Sequence, residues 1–482
     1  MIGEGFDNFF GPTPAEFQTM KLSTSIAAEP HIAHGLLAQD PVLHDLQIYD
    51  EFRRRNARKL RRRFKETLLQ AASLEPSVAP FCQHLERLLP EVEALSRKEG
   101  AIDPYFSTIF RLWMVALERG LDWVQCGVAP AFLGYFADLP AMEKDLATEY
   151  PHLAGKAGTH PVRLVGETIR LIPVDAVADS PRFSGRIQEC LPGYPDEEVY
   201  GAVDEAALDV MHDHLELSLK HLRELDRVAY LGLKRNIHTI YVALMKTGKK
   251  SFGSRYDCPG SLIAAFPEQR LREGDTYITA SQFYHEHCHT KLSLYCQVLE
   301  PDLPPDSVYI SSFKNENRTM ECILHTIYPI TMECAIRLAL LPFYDESMRQ
   351  RAVAYLAAVG FRLRLISDIF SSDPISGSAS EFKQIKELCA VVLALIEAEI
   401  QTCPPHIRKA HRQELGRVLK RHAWDIGQFL CRNVEVKDPG LSEVTKGDGR
   451  AQFTFQGKRY TASLKPGRPS FGNYGYYIES ML

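Results

Sequence analysis

Apolar residues recur at i, i+3, i+4 and i+7 along most of this chain, the spacing of helices that bury one stripe. The pattern predicts helices over residues 48–74, 104–125 and a long run, 204–244. After Pro301 it predicts further helices over 321–340, 346–370, 380–402 and 408–433. Stretches that alternate apolar and polar are few. "VRLVGETIRLIPVD" (162–175) reads as a hairpin with glycine at its turn. "SFGSRYDC" and "SLIAAFP" read as a strand pair joined at Pro259 and Gly260. "AQFTFQGKRYTASL" (451–464) reads as a hairpin turning at "QG", with a Gly/Tyr-rich tail behind it. The expected fold is therefore mainly α with small β elements (α+β), a helical body carrying one chemically distinctive helix next to a short sheet. The expected divisions are a helical region 1–150, a central α+β region 151–344 with the chemistry, a helical region 345–435, and a hairpin with tail 436–482.

Composition narrows the class. A chain of 482 residues exceeds one ordinary core, and its 45% apolar and 24% charged residues are those of a globular protein. A net charge of −5 gives no general attraction to nucleic acid. One local exception is "RRRNARKLRRRFK" (53–65), with nine basic residues in thirteen. It reads as a solvated helix face seated by Phe52, Leu60 and Phe64, with an acidic-partner surface as the alternative. The 11 cysteines form no CxxC pair, which fits reduced thiols. No basic stretch followed by an apolar run opens the chain, and no window of about 18 apolar residues stands out, so a cytoplasmic setting without a membrane span is expected.

The candidate chemistry lies in "QFYHEHCHTKLSL" (282–294), where His285, Glu286 and His289 form an HExxH. On a helix, residues i and i+4 share a face, so His285 and His289 can turn nitrogens toward one ion. His287 stands about 200° around the helix from His285 and cannot join them. Cys288 also leaves that face. Phe283, Leu292, Tyr295 and Leu299 are placed to bury the helix, and the strand "SLIAAFP" precedes it. A sheet edge beside a metal helix can hold an extended peptide across the ion. Two imidazoles need a third protein ligand. His325, inside the apolar "CILHTIY", is one candidate; Glu321, one turn earlier, competes with it; Glu333 fits the spacing less well. Such a ligand set suits iron(II) and catalytic zinc alike.

From about residue 251 to 341 the order "CPGSLIAAF", "YHEHCHTKLSL", "SSFKNENR", "CILHTIY" resembles the HExxH-type 2-oxoglutarate-dependent peptide β-hydroxylases, a family of peptide-modification proteins. Phe313, Asn317 and Thr319 replace the tryptophan and prolines usual around the family's arginine, and Thr326 stands where glycine is usual. The resemblance implies iron(II) on His285, His289 and His325. It implies Arg318 as the partner of the 2-oxoglutarate carboxylate, with Lys314 as a second cation. Glu286 would orient a ligand or water, and the substrate would be a side-chain β-carbon in a ribosomally made precursor peptide with its leader. The rival reading of the same motif is a zinc metallopeptidase with Glu286 as general base. A non-catalytic helical binding protein is the third, and leaves the histidine spacing to chance.

Overall fold

The computed structural model describes residues 163–176, 194–237, 239–246, 251–254, 261–268, 276–299, 309–313, 317–377 and 380–464, with ten or fewer isolated positions elsewhere. The helices expected over 48–74 and 104–125, the basic run 53–65 and Lys314 lie outside the described residues, except that Glu66, Leu69 and Ser73 are helical. The described residues fall into two compact units, those up to 299 forming one and those from 303 onward the other.

The first unit is built on a mixed sheet. Strands β1 (Arg163–Val165), β2 (Ile169–Pro173), β4 (Thr239–Met245), β6 (Ser261–Pro267) and β5 (Ser251–Ser254) lie in the order β1-β2-β4-β6-β5, and the short β3 (Tyr200–Gly201) pairs with β4. β1 and β2 form the expected hairpin, turning through Gly166 and Glu167 at φ of 56° and 70°. β2, β4 and β6 run parallel, whereas β5 pairs antiparallel with β6. Helices α1 (Glu205–Leu225) and α2 (Arg227–Asn236) connect the layers, and α3 (Thr276–Leu299) follows β6. α1 packs on β1, β2 and α3, while α3 packs on β5, so these helices back the sheet from one end to the other.

The long helix expected over 204–244 is corrected here: it is two helices and a strand. Asp226 ends α1 and caps α2, its carboxylate accepting from the Val228 and Ala229 amides at 2.7 and 2.9 Å. Beyond Asn236 the β-branched and aromatic Thr239, Ile240, Tyr241 and Val242 enter the sheet. β4 is buried on both faces, so its apolar run carries no alternation to distinguish it from a helix.

The second unit is helical. α4 (Met320–Leu340), α5 (Glu346–Ser372), α6 (Ser380–Thr402) and α7 (Pro405–Leu430) match the predicted segments closely. Thr319 and Asp345 cap α4 and α5. α4 is the core helix against which α5 and α6 pack. Among the described residues, one helical stretch, Met320–Phe343, is long and apolar enough to cross a membrane. Yet 89% of its most apolar window is buried inside the protein. Behind α7 stand β9 (Leu441–Gly447), β10 (Arg450–Phe455) and β11 (Lys458–Ser463). The "QG" hairpin is β10–β11, with Gln456 and Gly457 at φ of 49° and 72° as a two-residue turn requires. The third strand, β9, did not stand out because its residues are nearly all exposed.

Two features tie this sheet to α7. Gly427 leaves room for it: a Cβ there would come within 2.6 Å of Ala462 Cβ and 3.2 Å of the Phe453 ring. The buried His422 Nε2 meets Asp438 Oδ2 at 3.0 Å, where the chain turns into β9. Three residues along α7, Asp425 is 1% exposed; burial pushes its carboxyl up to about 6, partly countered by Arg421 and His422.

Alanine normally stabilises a helix by about 1 kcal/mol over glycine. Gly427→Ala is expected to reverse that sign and cost about 1–3 kcal/mol in urea unfolding, because the sheet must shift off the helix. Between pH about 4 and 6 the folded chain keeps a proton on Asp425 that the unfolded chain releases, so its contribution falls as pH rises through that window. Asp425→Asn is therefore expected to gain up to about 3 kcal/mol over the wild type at pH 8 and nothing at pH 4. Equal effects at both pH values would count against this account.

Candidate metal centre

α3 owes its orientation to the residues opposite the histidine pair. Phe283, Tyr284, His287 and Tyr295 are all buried, most of them completely. Lys291, also buried, lies over the Tyr284 ring at 5.8 Å. Burial, with Lys291 adding to it, holds the His287 imidazolium well below its usual range. His287 is thus a neutral core residue facing away from the pair, as its helical position requires.

Gln282, His285 and His289 form a half-buried stripe on α3. His285 Nε2 and His289 Nε2 stand 3.1 Å apart, with ring planes at 72°. Two ring nitrogens this close either share one proton in a hydrogen bond or aim both lone pairs at a common cation. The second arrangement fits a transition metal. With metal–nitrogen bonds of about 2.0–2.1 Å, a 3.1 Å bite corresponds to an angle at the ion of about 95–100°. That lies between the octahedral and tetrahedral values.

β5 lies along the neighbouring stripe of α3. Phe252 and Ser254, two apart on the strand, share one side of it. Phe252 meets the Phe283 ring edge-on at 5.5 Å, and Ser254 Oγ donates to Glu286 Oε2 at 2.6 Å. Glu286, 8% exposed, is therefore held by the edge strand itself. Nearer the start of α3, two histidines of α1 grip its first turns. His214 Nε2 meets Thr279 Oγ1 at 2.6 Å and His221 Nε2 meets Thr276 Oγ1 at 3.0 Å. His221 also stacks on Tyr277. None of Ser254, Gln282, His214 and His221 was singled out by sequence. Strand parity from Phe252 gives Ser254, and the i−3 position from His285 gives Gln282, but the α1 contacts leave no sequence signal.

The remaining candidates lie in the second unit. Arg318 is half-buried in the short strand β8 (Asn317–Arg318), paired with β7 (Tyr309–Ile310). His325 sits on α4, and burial pulls its imidazolium down to about 4, so it is neutral at pH 7. Pro329, one turn on, has no N–H to give the His325 carbonyl. Glu321 is exposed in the first turn of α4, where a carboxylate suits the helix dipole. Glu333 is committed elsewhere: its Oε1 accepts from Arg337 Nε and Nη2 at 2.9 and 2.8 Å and from the Tyr355 hydroxyl at 2.9 Å. The Arg337 guanidinium lies 3.9 Å over the Tyr355 ring. Among the described residues, no group of three or more His, Cys, Asp and Glu side chains is gathered in metal-holding geometry. The pair on α3 supplies two ring nitrogens and no third group.

No protein-family model matches this chain, and no curated protein matches it.

Glu333→Ala strips a buried guanidinium of its carboxylate, and is expected to destabilise the fold by about 3–5 kcal/mol. Co(II) uptake, the spectroscopic probe of the histidine pair, is expected to stay within twofold of the wild type in protein that remains folded. Loss of uptake in folded protein would instead make Glu333 a ligand.

Proposed function

We propose that this protein is an iron(II)- and 2-oxoglutarate-dependent oxygenase that hydroxylates a side-chain β-carbon in a ribosomally made peptide. The observation that carries the reading is a pair of converging imidazoles beside an antiparallel edge strand, Nε2 atoms 3.1 Å apart and β5 joined to the same helix through Ser254 and Glu286. One ion and one strip of backbone can then serve the same extended peptide. The resemblance of the segments around Arg318 and His325 to the peptide β-hydroxylases supports oxidation over hydrolysis.

Iron(II) with 2-oxoglutarate and dioxygen supplies an oxidant for an unactivated C–H bond, with succinate and carbon dioxide as co-products. The residues of the chain bind and orient. His285 and His289 would offer their ring nitrogens to the ion. His325 is assigned as third ligand on sequence grounds, and its neutrality suits the role. Arg318 is assigned to the cosubstrate carboxylate, since a guanidinium presents a fixed fork and keeps its charge; Lys314 is a second cation for it. Glu286, fixed by Ser254, orients a ligand or water next to the pair. The outer edge of β5 holds the peptide by main-chain hydrogen bonds, which keeps a side chain facing the ion.

A zinc peptidase is the second reading, favoured by the same Ser254–Glu286 hydrogen bond. It fixes a carboxylate one residue from the first ligand, where a general base for an attacking water belongs. That reading leaves Arg318 without a task.

Anaerobic loading with iron(II), then 2-oxoglutarate and air, separates the two. Succinate formation in the wild type, lost at least a hundredfold in His285→Ala and His289→Ala, is the expected result. No succinate, tight zinc, and peptide cleavage abolished by Glu286→Gln would establish the peptidase.

A further inference from the structure

Gln282 carries a polar atom that nothing described so far employs. Its side-chain Oε1 is shut off from water and has no hydrogen-bond partner among the described residues. An acceptor withdrawn from solvent and given no donor is destabilising, and such atoms in folded proteins call for a partner. The helix fixes where that partner stands. At 100° per residue, His285 lies about 60° from Gln282 on one side with His289 about 20° away between them; Glu286 lies about 40° and Phe283 about 100° on the other side. β5 contacts α3 through Glu286 and Phe283. Gln282 therefore occupies the strip between the edge strand and the histidine pair. A peptide reaching from β5 toward the ion crosses it.

The chemistry of the atom restricts the ligand further. The atom to be satisfied is an amide oxygen, which accepts and cannot donate. It needs an N–H or O–H. An extended peptide brings a main-chain N–H at every residue.

We propose that Gln282 is a substrate-positioning residue, its amide oxygen accepting a main-chain N–H of the peptide between the β5 edge and the His285–His289 pair. This rests on the reading above, in which the pair holds an ion beside a peptide. The bond sets how far along the peptide the ion reaches, and so helps decide which residue is modified.

The test uses the full chain loaded with Co(II) and two small probes, acetohydroxamic acid and N-methylacetohydroxamic acid. Both chelate an ion through their oxygens, and only the first brings an N–H beside it. The expected result is a preference for the N–H probe that is about fivefold greater in the wild type than in Gln282→Met. Gln282→Glu, which keeps an acceptor oxygen at that place, is expected to retain the preference. A merely structural role would weaken both probes equally. The same preference in Gln282→Met as in the wild type overturns the assignment of Gln282 and leaves the metal reading standing. Absence of any Co(II) spectrum that His285→Ala abolishes overturns the metal reading, and this inference with it.

Discussion

The chemistry available to this molecule depends on one orientation: the rotation of α3 about its own axis. Two imidazoles one turn apart are useful only if that turn faces open space, and the opposite side of the helix decides whether it does. Buried Phe283, Tyr284, His287 and Tyr295 hold it there. A rotation of about 100°, one residue's worth, would bring Glu286 to the front and turn the pair into the protein. The contacts of His214 and His221 with Thr279 and Thr276 oppose that rotation at the start of the helix, and Phe252 and Ser254 oppose it from the sheet.

Much of this was legible in the sequence, for a physical reason. His285 and His289 are placed by helical period alone, and helical period survives without knowledge of the tertiary fold. The same holds for α5 to α7, whose polar faces punctuate their apolar ones, and for the hairpins whose turns need glycine at positive φ. β4 was hidden because burial on both faces erases the alternation that marks a strand. β9 was hidden for the opposite reason, since exposure on both faces leaves hardly any apolar residue to alternate. The supporting residues of the centre share a different obscurity. Ser254 matters through a partner 32 positions away, and His214 through one 65 positions away. No local pattern encodes such distances.

The second unit spends its buried charge on structure. Glu333 collects three donors on one oxygen, and a carboxylate so engaged is unsuited to ligation. His325, two turns earlier on the same helix, is the contrasting case. Burial keeps its ring uncharged, and Pro329 removes the helix bond that would otherwise end on its carbonyl. Two polar residues on one apolar helix thus differ in what their surroundings ask of them, and only the contacts distinguish them.

The antiparallel run of β5 at the margin of its sheet has a further consequence. Backbone pairing advances by about 3.3 Å per residue and inverts side-chain facing at each step. If a guest strand pairs with β5 as proposed, a slide by two positions presents an equivalent face to the histidine pair, and a slide by a single position presents the reverse. Under the proposed reading, modification along a repetitive guest falls on every second residue, so that the marks share a common parity whatever the identity of the residues between.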